Sequence, residues 1–261
     1  MAPDLPPRAA FPIGRGLLWR VALRGLFLET SWNNQGKQNL GYAAAMAPVL
    51  RRLYPDNPDL RPLLAPFNTN PIMGAMVLGA AIRLEEQERA GTLSPLDKAG
   101  LLAGMASVTG AQGDQIFWNT WLPFSALTAF FVTFWAKAPW GPFLLPLLFS
   151  ALAWPTRLWG VFWGYRLGHL VFKERKSAAA LSFRRRFHFF TLFWAGFIAA
   201  LALSRAFRET SGSAAQDLGL SLGLFLFLAL ARFGATRHPR LKFPFYLGTL
   251  ALIYLLFFSL A

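Results

Sequence analysis

Long uncharged runs alternate with short basic ones along the second half of the chain. Residues 187–204, FHFFTLFWAGFIAALALS, carry no formal charge unless His188 is protonated, and residues 243–261, FPFYLGTLALIYLLFFSLA, carry none. Each is long enough for a membrane-spanning helix, which needs about 17 to 25 residues. Residues 218–231, LGLSLGLFLFLALA, are shorter and span only if the helix is tilted or extends from Ala215 to Arg232. The linkers 172–186 and 232–242 are rich in Lys and Arg, whereas 205–217 is nearly balanced. Basic loops stay on the cytoplasmic side. The pattern therefore predicts Lys176 and Arg185 inside, Ser211 outside and the C-terminus on the outer side.

The middle is less regular. Residues 116–136, IFWNTWLPFSALTAFFVTFWA, are long enough to span, and so are 138–156, APWGPFLLPLLFSALAWPT. Prolines at 139, 142, 146 and 155 predict that the second of these is kinked or broken. Interrupted apolar segments are a feature of transporters, where unwound backbone lines a substrate path. Further upstream, IMGAMVLGAAIRLEEQERAG (72–91) places Gly74, Ala75, Gly79, Ala80 and Ala81 together, which permits close helix contact. Its charged end reads as the exit from the membrane, with Gly91 as the cap. Near the N-terminus, Leu17, Val21 and Leu28 share one helical face and Arg20 and Arg24 lie off it. That pattern fits a helix at the membrane interface or an amphipathic helix packed on the protein.

Composition agrees with a membrane protein: 55% of the 261 residues are hydrophobic and only 15% are charged. Ordinary soluble domains carry about 25% charge. The net charge of +14 is spread between apolar segments rather than over a polar domain, which argues against nucleic acid as a partner and for a lipid bilayer. The absence of cysteine rules out thiolate chemistry and disulfides, and His169, His188 and His238 have no metal-ligand spacing. No cofactor or metal is expected, and no nucleophile or phosphate loop stands out. Arg20 and Arg24 interrupt the apolar region that a signal peptide requires.

Three polar patches sit against apolar segments: SWNNQGKQNLGY (31–42), FNTNP (67–71) and TGAQGDQIFWNT (109–120). Asp114 at a membrane helix centre would cost about 2.5 to 3.5 kcal/mol, so such a group faces a cavity or a partner. Amides and a carboxylate beside Trp118 suit a sugar, whose hydroxyls take hydrogen bonds and whose apolar face stacks on an aromatic ring. The alternative is local: the amides satisfy helix ends, and Asp114 caps a helix beginning at Ile116.

At these residues the chain resembles a known family. SWNNQGKQNLGYAAAMAPVLRRLYP is similar to S-W-N-Y-E-R-M-Q-N-L-G-F-A-Y-S-M-x-P-x-x-x-x-L-Y-P, FNTNP to F-N-T-H-P, LEEQERAG to L-E-E-E-x-A-N-G, and GAQGDQIFWNTWLP to G-I-G-D-x-x-F-W-G-T-L-R-P. These are motifs of the IID component of mannose/fructose/sorbose-type sugar phosphotransferase systems, in family order across about residues 23 to 170. The resemblance implies an all-α integral membrane protein with spanning and broken or re-entrant helices. It implies one integrated domain, 1–261, with a motif-bearing core at 15–170 and C-terminal membrane helices at 171–261. It implies pairing with a IIC membrane subunit, assembly of such pairs into trimers, and elevator-type passage of a hexose through a bacterial inner membrane. Phosphoryl transfer would run through cytoplasmic IIA and IIB proteins, leaving this chain without catalytic residues. Asn33, Gln38, Asn39, Asn68, Asp114 and Trp118 match the pattern and are the expected substrate-binding residues. Asn34, Gln35, Gly36 and Lys37 replace Tyr-Glu-Arg-Met, Asn70 replaces His, Ala111 and Gln112 replace Gly-Ile, Asn119 replaces Gly and Leu122 replaces Arg. These changes keep open a regulatory or sensory role, or that of a scaffold for a IIC-like partner.

Overall fold

The computed structural model describes residues 13–56, 58–170, 187, 190–191 and 194–198. The linkers at 172–186, 205–217 and 232–242, and the segments at 218–231 and 243–261, lie outside the described residues. The chain forms two compact units, Met1–Phe187 and His188–Ala261. In the second, residues 194–198 are helical and Trp194 stacks on Phe197.

Among the described residues of the first unit there are six α-helices: α1 (Arg15–Gly25), α2 (Asn39–Leu53), α3 (Gly74–Arg89), α4 (Pro95–Gly113), α5 (Leu122–Phe134) and α6 (Leu144–Leu167). Among the described residues there is no strand, only isolated bridges pairing Lys37 with Asn33 and with Phe67. The buried face of α1 is Leu18, Val21, Ala22 and Gly25, and it packs on α2 and α6. Trp19 and Leu23 stay exposed on its outer face beside Arg20, a mixture suited to a membrane interface. α4 starts at Ser94, whose hydroxyl accepts from Asp97 N at 3.1 Å, with Pro95 where a missing N–H does no harm.

α3 is the centre of the unit. It is buried from Gly74 through Glu86 and lies along α6. The small residues make this possible: a Cβ on Gly79 would collide with the carbonyl oxygen of Val161, and one on Gly164 with that of Met76. Gly91, at φ +70, follows the last residue of α3's C-terminal turn in the conformation that glycine adopts without strain.

Two expectations need correction. No helix begins at Ile116: α4 runs through a π-helical segment, Asp114–Trp121, directly into α5. The wider turn ends beside Pro123, which has no N–H to donate. The proline-rich segment is not broken either. Pro139 and Pro142 precede α6, Pro146 lies in its first turn where a missing N–H costs nothing, and the helix continues through Pro155 to Leu167. The charged end of α3 is engaged within the protein: Arg83, Glu85 and Glu86 are buried and paired. Among the described residues, one helical stretch, Gly141–Leu170, is long and apolar enough to cross a membrane.

Candidate functional site

The loop between α1 and α2 is held by its own amides. Asn33 Oδ1 accepts from Gly36 N at 2.7 Å, and the Asn33 and Lys37 backbones exchange two hydrogen bonds of 3.0 and 2.9 Å. Lys37 sits at φ +59, a strained position for a residue with a side chain. Asn39 accepts from Asn33 Nδ2 at 3.1 Å and donates to Leu64 O at 2.7 Å. Gln38, buried at 2% exposure, donates to Thr69 O at 2.7 Å and accepts from Thr69 N at 3.0 Å. Its carboxamide thus pairs with a backbone as a strand neighbour would. It also donates to Glu29 at 3.0 Å. The opening motif is in this way welded to FNTNP.

FNTNP is in turn joined to the third motif. Asn70 Oδ1 accepts from Ile72 N and Met73 N at 3.0 and 3.1 Å, holding the turn that leads into α3. This fixes its amide orientation, so Nδ2 is left to donate to Asp114 Oδ1 at 2.9 Å. Gly113 leaves the room: a Cβ there would collide with the Asn70 side chain. Asp114 has helical backbone, φ −61 and ψ −42, and its N–H bonds back to Gly110 and Ala111. A helix N-cap has neither property. Asp114 is therefore not a cap but a side chain presented by a continuous helix.

The three motifs border an open cavity of about 820 Å³ lined by α3, α4 and residues 62–69. Asn68 and Asp114 lie on its wall. Asn33, Gln38 and Asn39 do not; they are engaged one layer behind it. Trp118 is also off the wall, 40% exposed, with its ring stacked on Phe149 at 5.7 Å.

A second polar group on the wall escaped sequence reading. Lys98 Nζ donates to Glu85 at 2.8 Å and to Glu88 at 2.5 Å, and all three line the cavity. Burial lifts the Glu85 carboxyl above the usual carboxylate range, against the pull of Lys98. Burial alone would lower the Lys98 ammonium, but Glu85 and Glu88 outweigh it and hold it above the ordinary lysine value. Nothing in the spacing of Lys98 and Glu85 marks them as partners, because they meet only when α3 and α4 fold into a hairpin. Asn70 was visible as part of the FNTNP patch and as a departure from the family pattern, but not as the partner of Asp114. Among the described residues, no cluster of three His, Asp or Glu could hold a metal ion.

The model of the PTS mannose/fructose/sorbose family IID component matches residues 13–216. The mannose-specific EIID component of Escherichia coli K12 is 36% identical over 166 residues, covering 58% of this chain and 57% of that protein. The fructose permease IID component of Bacillus subtilis 168 is 29% identical over 163 residues, 60% of this chain and 58% of that one. The matched stretch thus spans under three fifths of either relative's length. One solved membrane protein superposes with a TM-score of 0.63 at 31% identity, covering 71% of this chain and 70% of its own. A chain of the mannose transporter ManYZ in complex with microcin E492 superposes with a TM-score of 0.54 at 27% identity, covering 94% and 95%. With its four motifs in register, three of them tied together by Gln38, Asn70 and Asp114, this chain belongs to the mannose/fructose/sorbose family of PTS IID components and is a membrane protein.

Proposed function

We propose that this chain is the IID subunit of a phosphoenolpyruvate-dependent sugar phosphotransferase transporter. With a IIC membrane subunit it forms the elevator-type path for a hexose of the mannose, fructose or sorbose class, and such pairs assemble as trimers. The observation that carries this reading is the Asn70–Asp114 bond. It joins two family motifs at Asp114, which lines an open cavity together with Asn68.

Asn68 and Asp114 hydrogen-bond the sugar hydroxyls, and Trp118, one turn beyond Asp114, offers an aromatic face. Asn33, Gln38 and Asn39 complete the site by fixing the loop on which Asn68 sits. Phosphoryl transfer is carried by IIA and IIB proteins in the cytoplasm, so this chain contributes binding and movement rather than covalent chemistry. The whole chain, 1–261, acts as one multi-pass domain of a bacterial inner membrane with its C-terminus outside. The Lys and Arg clusters at 172–186 and 232–242 support that orientation.

The test is sugar uptake by cells lacking their own transporter and supplied with this chain and its IIC, IIA and IIB partners. Uptake and phosphorylation of a hexose that depend on this chain are expected. A complex that assembles but moves none of the three hexoses would refute the reading.

A further inference from the structure

Three consecutive residues at the end of FNTNP are each held by a different part of the first unit. Thr69 is clamped through its backbone N–H and carbonyl by Gln38, in the loop before α2. Asn70 donates to Asp114, where the π-helical segment begins. The carbonyl oxygen of Pro71 accepts from Nε of Arg157, on α6, at 3.4 Å. The first two holds come from residues of the family motifs. The third comes from outside all four of them.

Arg157 is a costly residue for its place. It belongs to the described helical stretch that is long and apolar enough to cross a membrane. The other charged residue of α6, Arg166, stands in the last turn. Arg157 instead lies roughly 20 Å along the helix from Leu144 and about 15 Å from Leu167, at about 1.5 Å per residue. It is therefore not one of the arginines near a helix end that snorkel to the interface. One long hydrogen bond answers a single one of its five donors, and among the described residues it forms no ion pair. Charged groups within apolar spans pair with one another or with backbone carbonyls. The opposing charge that reaches Arg157 is that of Glu29. Glu29 is also the acceptor for Gln38 Nε2 at 3.0 Å. One carboxylate thus acts on Thr69 through Gln38 by a hydrogen bond, and on Pro71 through Arg157 by its charge.

We propose that Arg157 and Glu29 are a charge pair that positions the sugar site. Glu29 orients Gln38 and attracts Arg157. Gln38 clamps Thr69, Arg157 holds the Pro71 carbonyl, and the segment fixed in this way carries Asn68 on the cavity wall. Neither Arg157 nor Glu29 lines that cavity, so both are positioning residues that act through the backbone of residues 69–71. The inference rests on the reading of this chain as a sugar-binding subunit and adds two residues to that site. Because the pair is held by charge rather than by a direct bond, neutral substitutions of similar length separate its electrostatics from packing.

The chain has no cysteine, so Asn68→Cys gives a nitroxide a single site, and Asn68 is exposed. The spectrum of the labelled full chain in detergent reports how firmly the segment is held. Arg157→Met and Glu29→Gln each remove one charge at similar length, and each is expected to loosen the label. The double variant should loosen it no further than Arg157→Met alone, because the second loss removes an interaction already gone. Arg157→Lys keeps the charge and stays nearer the parent. Unchanged spectra in the single variants, or effects that add, would overturn the proposal. If Arg157→Met folds poorly, Glu29→Gln and Arg157→Lys still decide it: the first must loosen the label more than the second. In the assembled transporter with Asn68 restored, Arg157→Met should raise the KM for the hexose about tenfold and leave kcat nearly unchanged, the mark of weakened binding rather than of lost protein. A fall in kcat at constant KM would also overturn the proposal. The spectra use no sugar, so a wild-type complex that moves no hexose refutes the transport reading while the label still decides the pairing.

Discussion

Asn70 and Asp114 lie 44 residues apart in the sequence and 2.9 Å apart at Nδ2 and Oδ1. Because Asn70 Oδ1 is held by two backbone N–H groups, the amide has one orientation, and its donor has one acceptor. Asn70→Asp keeps the acceptor for those N–H groups but sets a second carboxylate against the first. The expected loss at pH 8 is about 1.5 to 3 kcal/mol or more, the worth of a hydrogen bond to a charged group plus repulsion. One carboxyl of the new pair is pushed up in the folded state, so folding takes up a proton and stability falls as pH rises through that value. Thermal unfolding of the detergent-purified variant at pH 5 and pH 8 is the measurement. A deficit equal at both pH values would contradict the pairing.

Asp114 itself separates binding from architecture. Asp114→Asn retains an acceptor for Asn70 Nδ2, so the fold is expected to survive. It loses the charge offered to the cavity, and sugar affinity of the assembled complex should fall roughly 10- to 150-fold, equivalent to about 1.5 to 3 kcal/mol. Asp114→Ala loses both bonds and should be less stable as well as at least as weak in binding. Unchanged sugar affinity in a stable Asp114→Asn complex would remove the carboxylate from the site.

Much of this was legible in the sequence, and what was not has a common cause. The small residues of α3 and the cap at Gly91 follow from local spacing, so they could be read directly; the α1 face was read one residue off, since the helix ends at Gly25 and buries Leu18, Val21, Ala22 and Gly25, leaving Leu17 half-buried and Leu28 in the turn beyond. The motifs around Gln38, Asn68 and Asp114 were also identified as polar groups needing partners. Their partners were not, since Gln38 meets Thr69 and Asn70 meets Asp114 only through tertiary packing. The same holds for Glu86, which looked like part of a charged helix end and is instead buried against residues far away in sequence. The expected break is absent because three of the four prolines counted lie before α6 or in its first turn, where a missing N–H costs nothing, and α6 continues through the fourth, Pro155.

The α3–α6 contact supplies a stability contrast between glycines. Gly164→Ala drives a methyl group into the Met76 carbonyl, and α3 and α6 must separate. A loss of several kcal/mol, about 1 to 3 or more, is expected from such overpacking. Gly100→Ala meets nothing and improves helix propensity, so the isolated subunit should gain about 0.5 to 1 kcal/mol. Melting temperatures of the two purified variants should therefore move in opposite directions. Similar shifts would show that α3 and α6 are not in backbone contact at Gly164.

Glu86 ties three elements together. Its side chain is fully buried and accepts from Ile13 N at 2.8 Å, Tyr165 Oη at 2.8 Å and Arg83 Nη1 at 3.0 Å. Glu86→Gln turns one acceptor into a donor facing a donor, and Glu86→Ala leaves Arg83 buried without its carboxylate. Breaking a buried pair in this way costs about 3 to 5 kcal/mol, so little folded protein is expected from Glu86→Ala. Tyr165→Phe removes one neutral donor and should cost about 1 kcal/mol. Equal yields and melting temperatures for both variants would show that the carboxylate is not the hub.

Lys98 lies between two carboxylates, and its pH dependence follows from the two shifts. Its ammonium is held above the ordinary lysine value, so its contribution to stability is complete below about pH 10.4 and is lost as pH rises through the folded value. Glu85 is also raised, by burial, and a raised carboxyl acts in the same direction: its contribution is complete below about pH 4.3 and declines as pH rises through its folded value. In the wild type Lys98 opposes that decline by pairing with the ionised carboxylate. Lys98→Met removes the opposition and leaves Glu85 buried beside Glu88, so its melting temperature should match the wild type most closely in acid and fall progressively toward neutral pH. A buried carboxylate that has lost its partner costs about 3 to 5 kcal/mol, which sets the size of the gap at pH 8. Lys98→Met combined with Glu85→Gln removes the buried charge as well and should close most of it. Melting curves of the wild type and both variants from pH 4.5 to pH 8 make the comparison. A gap that stays constant across that range, or that Glu85→Gln fails to narrow, would show that Glu85 does not depend on Lys98.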